Sequence, residues 1–265
     1  MTFIKNFSVN TTKTHPFPYN IPAVRNARQL SLNQPVTILV GDNGCGKSTL
    51  LETIGLYMNL PLIGGYSKNS SSFEAAQILL PYIDIEWRRS TQMGFFFRAE
   101  DFSDFLKSAE RDRNRIHNDI SDLEGRVSEQ TIREMSNGSM NYSLNNMYRE
   151  YGTDMEGFSH GEAYLKILET RIGDKGVFLL DEPEAALSPL KQLSLIFLIM
   201  QKLEKPNAQF IISTHSPILM GIPNAVLYEI DDHAITKTPY DDTEHYRITR
   251  QFLQNPQYYL RLYEE

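Results

Sequence analysis

The segment Gly41, Asp42, Asn43, Gly44, Cys45, Gly46, Lys47, Ser48, Thr49 follows the apolar run Val36 to Val40 and precedes the helical apolar positions Leu50, Leu51 and Ile54. It satisfies G-x-x-x-x-G-K-[ST], and strand, glycine turn and helix arrive in the order that this motif requires. Glycines let successive backbone N–H groups turn toward one anion, and a helix beginning near Lys47 adds its positive end. The expectation is a polyphosphate cradle built from Gly41, Asn43, Gly44, Cys45 and Gly46. Lys47 then reaches the β and γ phosphates, Ser48 offers its hydroxyl to Mg²⁺, and Thr49 lies near the α phosphate. A thiol at Cys45 would feel the same helix terminus, although a small filling side chain explains that position as well.

Further short apolar runs occur at Val177 to Leu180, Phe210 to Ser213 and Val226 to Ile230, with helical patterns between them. Strands buried on both faces read this way, which predicts an α/β fold with a mostly parallel sheet. From Phe102 to Tyr151 the texture changes to charged and amide residues, with Ile116, Ile120, Leu123 and Val127 at helical spacing. That stretch, about 101–157, reads as a helical insertion lobe, because its stripe is too short for a coiled coil. The closing segment, 240–265, carries Tyr246, Phe252, Leu253, Tyr258, Tyr259, Leu260, Leu262 and Tyr263. So aromatic a tail is expected to dock on the same single domain, 1–265.

The run Gly176 to Leu180 ends in Asp181 and Glu182. Adjacent carboxylates leaving a strand point in different directions, so Asp181 is expected to serve Mg²⁺ and Glu182 to polarise an attacking water. Gln209 to Ile212 leads into Ser213, Thr214, His215, Ser216, Pro217. His215 is thereby placed at the carboxyl edge of the sheet, where α/β proteins bind ligands. It can hydrogen-bond a γ phosphate or the attacking water, or serve as a structural histidine.

With 41% hydrophobic residues among 265, the chain can fill a sizeable core, and its apolar runs fall short of a membrane span. No membrane insertion is expected. One cysteine can form no internal disulfide, and Met1 to Asn10 lacks a secretory pattern. A cytoplasmic location is expected. The formal charge of −7 argues against a strongly basic surface, since Lys and Arg supply most affinity for nucleic acid. It leaves room for a local basic patch, such as Arg111, Arg113 and Arg115, although these alternate with acidic residues as on a solvated helix face.

Together these residues resemble the ABC-type ATPase superfamily. Gly41 to Thr49 stands as Walker A and Val177 to Glu182 as Walker B. Phe158, Ser159, His160, Gly161, Glu162 stands as the signature, Ala186 to Pro189 as the D-loop and His215 as the H-loop. His160 and Glu162 depart from the second glycine and the glutamine usual in transporters. Asp-Glu-Pro-Glu-Ala-Ala-Leu-Ser-Pro and Ser-Thr-His-Ser-Pro-Ile-Leu are similar to the soluble repair, chromosome-structure and overcoming-lysogenization-defect groups. Phe17 to Pro22 and the ending from Asp241 to Leu262 resemble a compact bacterial family of predicted ATPases. The likeness covers about residues 21 to 230, with matches in both flanks.

The resemblance implies an α/β P-loop NTPase of ABC type, with a central parallel sheet and an antiparallel β portion. It implies ATP and Mg²⁺ as ligands, and a homodimer on ATP binding in which Ser159 and Gly161 of one copy close over ATP held by the other. An unidentified protein partner, or nucleic acid, would receive the work. A transporter's nucleotide-binding subunit and a P-loop kinase are the competing classes. In the Q-loop, Arg98 stands where glutamine is expected, leaving Gln92 and Glu100 as candidates. Phe17 and Tyr19 are each candidates for adenine stacking or for the core, and Arg25 for the phosphates.

Overall fold

Val36–Gly41, Gly176–Asp181 and Ala208–Ser213 are buried at every position, as befits strands covered on both faces. The computed structural model describes residues 2–63, 73–101, 160–205 and 207–261. Numbered among these residues, the strands are β1 (Ile4–Val9), β2 (Leu30–Ser31), β3 (Val36–Gly41), β4 (Leu62–Ile63) and β5 (Ile83–Trp87). They continue as β6 (Gly94–Arg98), β7 (Gly176–Asp181), β8 (Ala208–Ser213), β9 (Val226–Ile230) and β10 (Ile235–Lys237). One sheet has the order β10-β9-β3-β8-β7-β6-β4, parallel throughout except for the antiparallel β9/β10 edge. A second, antiparallel sheet has the order β2-β1-β5. The fold is the expected α/β P-loop architecture with a separate antiparallel portion.

Alternation along the strands separates two apolar layers. Val36, Ile38, Val40, Phe178, Leu180, Phe210 and Ile212 face one core, which helix α4 (His160–Arg171) and helix α5 (Pro189–Leu203) cover through Tyr164, Ile167, Leu168, Leu195 and Ile199. Leu39, Val177, Leu179 and Ile211 face the other, shared with β1 and with Leu50, Leu51 and Ile54 of helix α2 (Lys47–Tyr57). Gln209 interrupts this second layer. It is fully buried, accepts from the N–H groups of Phe3 and Ile4 at 2.8 Å each, and donates to the carbonyls of Ile4 and Leu32. All four of its hydrogen-bonding capacities are used, and they fasten the antiparallel sheet to the parallel one.

The tail is unequal along its length. Thr243 is fully buried, the Tyr240 hydroxyl donates to the Pro217 carbonyl at 3.0 Å, and the Glu244 N–H donates to Glu229 Oε1 at 2.9 Å. Later in the tail Ile248, Phe252, Leu253, Tyr258 and Leu260 are exposed. Docking is therefore confined to the start of the segment. Apart from Asp101, the insertion lobe at 101–157 with its arginines and helical stripe lies outside the described residues.

Candidate active site

Three neighbouring strands bring one polar row to the carboxyl edge of the sheet. Arg98 of β6 pairs in register with Asp181 of β7, and Asp181 with Ser213 of β8. Arg98, Asp181 and Ser213 share the strand parity of Phe96, Leu179 and Ile211, so they face α2 rather than the opposite core. There Ser48 Oγ donates to Asp181 Oδ1 at 3.0 Å, and the Ser213 hydroxyl donates to the same oxygen. Ser48 and Asp181 thus meet although 133 residues separate them. Burial pushes the Asp181 carboxyl up, against the pull of its hydroxyl donors and Arg98.

The phosphate loop is held open by glycine geometry. Gly46 has φ of 103° and a side chain there would meet Ile21, while Gly44, at φ of 81°, faces open space. Lys47 is buried, and its ammonium folds back to the carbonyls of Gly41 at 2.7 Å and Asp42 at 3.0 Å. Asn43, Gly44 and Cys45 line a cleft of about 710 Å³, whose far wall carries Asp231 and Asp232 and also Glu244, His245 and Arg247 of the tail. Burial raises the Cys45 thiol, outweighing the nearby Lys47 charge. The side chain acts here as filling rather than as a thiolate. Thr49 is half-buried, and its carbonyl accepts from Thr53.

Glu182 stands at φ of 48°, a conformation rare for residues other than glycine. It is fixed there because its N–H donates both to the Ser213 carbonyl at 3.0 Å and to the Ser213 hydroxyl at 3.2 Å. Such local strain concentrates where a side chain must be aimed. The Glu182 carboxylate points at His215, with Oε1 3.5 Å from Nε2. Burial first, then the Lys47 charge, lowers the His215 imidazole to about 4, so it is neutral at neutral pH.

At Arg98, where the resemblance expects a Q-loop glutamine, the end of β6 carries a cation. The buried Arg98 guanidinium lies 3.5 Å from Glu52, 3.3 Å from Glu100, 3.5 Å from Asp101 and 3.9 Å from Asp181. Burial pushes Glu52 up to about 8, against the pull of Arg98, so it holds a proton at neutral pH and lessens the crowd of negative charge. Gln92 is exposed just before β6, at the opposite end of the strand from this row. Glu100 lies just beyond the strand and beside Arg98. Of the two aromatics, Tyr19 is buried against Tyr82 with rings at 84°, whereas Phe17 is exposed. Arg25 donates to the Asp232 carbonyl at the cleft rim. Ser159 lies outside the described residues, and Gly161 falls in the first turn of α4.

A family model described as "AAA domain, putative AbiEii toxin, Type IV TA system" matches residues 57–221. The chain belongs to this AAA-domain family. Among solved structures it is similar to CbiO1 of Clostridium perfringens, part of the ABC transporter complex CbiONQ, with 16% identity, 96% of this chain and 95% of that one covered, and a TM-score of 0.43. It is also similar to the SMC head domain of Thermotoga maritima, with 15% identity, 90% and 100% covered, and a TM-score of 0.42. No curated protein sequence matches the chain.

For this AAA-domain chain, Ser48 and Asp181 are hard oxygen donors of the kind that hold Mg²⁺ together with substrate phosphates, and their 3.0 Å approach fits such an ion. Sequence reading gave no role to Glu52, Glu184, Gln192 or His245. Glu184 Oε1 accepts from the N–H groups of His215 at 2.6 Å and Ser216 at 3.2 Å, so it shapes the turn that carries the histidine. Gln192 joins the segment at Leu187 to the same turn, donating to the Leu187 carbonyl at 3.1 Å and accepting from Ser216 at 2.5 Å. Glu184 was visible in the Asp-Glu-Pro-Glu run. The other three carry no motif.

Proposed function

We propose that this chain binds ATP in the cleft at Gly41–Thr49 and hydrolyses it. The observation that supports this best is the meeting of Ser48, Asp181, Glu182 and His215 at one edge of the sheet, beside a buried lysine on a glycine loop. Lys47 exchanges its two backbone carbonyls for β and γ phosphate oxygens. Ser48 and Asp181 would hold Mg²⁺, which would supply charge neutralisation to the phosphates. Glu182 orients and polarises the attacking water, and His215 offers a hydrogen bond to that water or to the γ phosphate.

The reading extends to a head-to-tail homodimer, in which Ser159 and the amide of Gly161 from one copy complete the phosphate cage of the other. Contacts supplied in trans to phosphoryl-transfer sites contribute about 10³ to 10⁵ in rate, so a lone copy hydrolyses slowly. The work is delivered to a partner protein or to nucleic acid. No helix among the described residues is long and apolar enough to cross a membrane.

Isothermal titration with ATP and Mg²⁺, together with light scattering on Glu182→Gln, tests both levels. ATP binding that Lys47→Ala abolishes, and a doubled mass with ATP, are expected. Failure of the wild type to bind ATP overturns the site. A persistent monomer at micromolar concentration, or full hydrolysis by Ser159→Arg, overturns the dimer.

A further inference from the structure

The tail contributes a second histidine to the site. His245, in the helix Glu244–Gln254, places Nε2 3.0 Å from His215 Nδ1, and the two rings lie 5.2 Å apart between centroids. One ring nitrogen of each histidine therefore faces the other, and only one of these two nitrogens can carry the shared proton when both rings are neutral.

The remaining nitrogens decide which. Neither outer nitrogen, His215 Nε2 or His245 Nδ1, has a hydrogen-bond partner among the described residues, but His215 Nε2 has the Glu182 carboxylate as its near neighbour, with Oε1 at 3.5 Å. Suppose His215 donated from Nδ1. Its Nε2 lone pair would then face a carboxylate, and His245 would bury an N–H at Nδ1 with no acceptor. In the opposite arrangement His245 donates from Nε2, His215 Nε2–H faces the Glu182 carboxylate 3.5 Å away, outside hydrogen-bond geometry but with favourable charge, and His245 Nδ1 buries a lone pair instead of an N–H. A buried donor without an acceptor is the rarer and costlier defect.

We infer that His245 is a positioning residue, which donates to His215 Nδ1 and so fixes the Nε2–H tautomer of His215, aimed at the Glu182 side of the cleft. The inference rests on the proposed ATPase reading for its consequence but not for its geometry. A histidine that hydrogen-bonds a γ phosphate or the attacking water must present an N–H there, and an orienting partner on the other ring nitrogen sets that tautomer. The neutral state of His215 agrees, since burial and Lys47 both oppose protonation. His215 has Glu182, His245, Lys47, Asp42 and, through its backbone, Glu184 around it. The buried Thr243 and the Glu244–Glu229 hydrogen bond seat the helix that delivers His245.

Long-range ¹⁵N–¹H correlation spectra of the histidine rings in the full, nucleotide-free chain read the tautomer directly, with His215→Gln assigning the signal. The expected result is His215 protonated at Nε2 with a hydrogen-bonded, unprotonated Nδ1. His245→Phe should remove the Nδ1 hydrogen-bond shift and lower kcat by about 10- to 100-fold, the range for loss of an orienting partner, with KM for ATP little changed. His245→Gln, whose amide can donate from the same place, should restore both. A His215 proton on Nδ1, or equal behaviour of the Phe and Gln variants, overturns the inference. Absence of ATP binding with the expected tautomer present would instead strike the ATPase reading.

Discussion

Gln209 and Ser213 stand four residues apart on β8 and face the same side of the sheet, yet their surroundings follow opposite rules. At Gln209 every buried polar capacity is matched by backbone from β1, its flank or the residue after β2. At the Ser213 end, buried polar atoms remain without hydrogen-bond partners among the described residues, including Arg98 Nε, Glu184 Oε2 and His215 Nε2. Native interiors rarely leave such atoms unmatched. The matched end holds two sheets together, and the unmatched end is the one to which the proposed function assigns ATP.

The largest expected effect breaks the matched end. Gln209→Ala strands two N–H groups and two carbonyls in the core, at about 1–3 kcal/mol for each group that finds no new partner. A loss of about 4 kcal/mol is expected from the urea midpoint. A loss below about 1 kcal/mol would show that the junction is held by apolar packing alone.

At the other end Glu182→Gln should lower hydrolysis at least about 100-fold while the urea midpoint stays within about 0.5 kcal/mol of wild type. Chelation of Mg²⁺ should abolish hydrolysis in the wild type as well. Equal loss of stability in Glu182→Gln and Gln209→Ala would erase the distinction between the two ends.

Glu52 sharpens the comparison through pH. Its carboxyl is raised from 4.5 to about 8 by burial, so the folded state holds this proton more tightly than the unfolded chain. The resulting stabilisation is fully present below about pH 4.5 and is lost as pH rises through about 8. Glu52→Gln should therefore flatten stability between those values and be the more stable form at pH 9, by about 1 kcal/mol. A steeper pH dependence in the variant would mean that Arg98 needs the Glu52 charge. The smallest effect is expected at Cys45: with a buried, raised thiol, Cys45→Ala should change ATP affinity less than about twofold, and alkylation at pH 7 should be slow.

Much of the site could be read in advance because it lies in short local patterns. Gly41 to Thr49, Asp181, Glu182 and His215 each sit where an apolar run ends, and a buried strand end is an economical place to expose chemistry. Strand ends moved outward by one or two residues, as at Ala208, because ladder pairing continues past the apolar run. The pattern could not choose between Tyr19 and Phe17, since both are aromatic, and packing against Tyr82 assigns Tyr19 to the core. Nor could it dismiss Gln92, whose distance from the site appears only when β6 is laid beside β7.

The sequence by itself determined the parallel α/β frame, and it named the glycine loop with its candidate acidic and histidine residues, because those depend on periodicity and on neighbours within a few residues. Tertiary structure decided that Arg98 lies among four carboxyl groups, that Gln209 joins the sheets, and that His245 reaches back to His215. Each of these joins residues on separate elements through polar contacts. The energy of such a contact depends on burial and on the absence of competing partners, and neither quantity is written in the local order of residues.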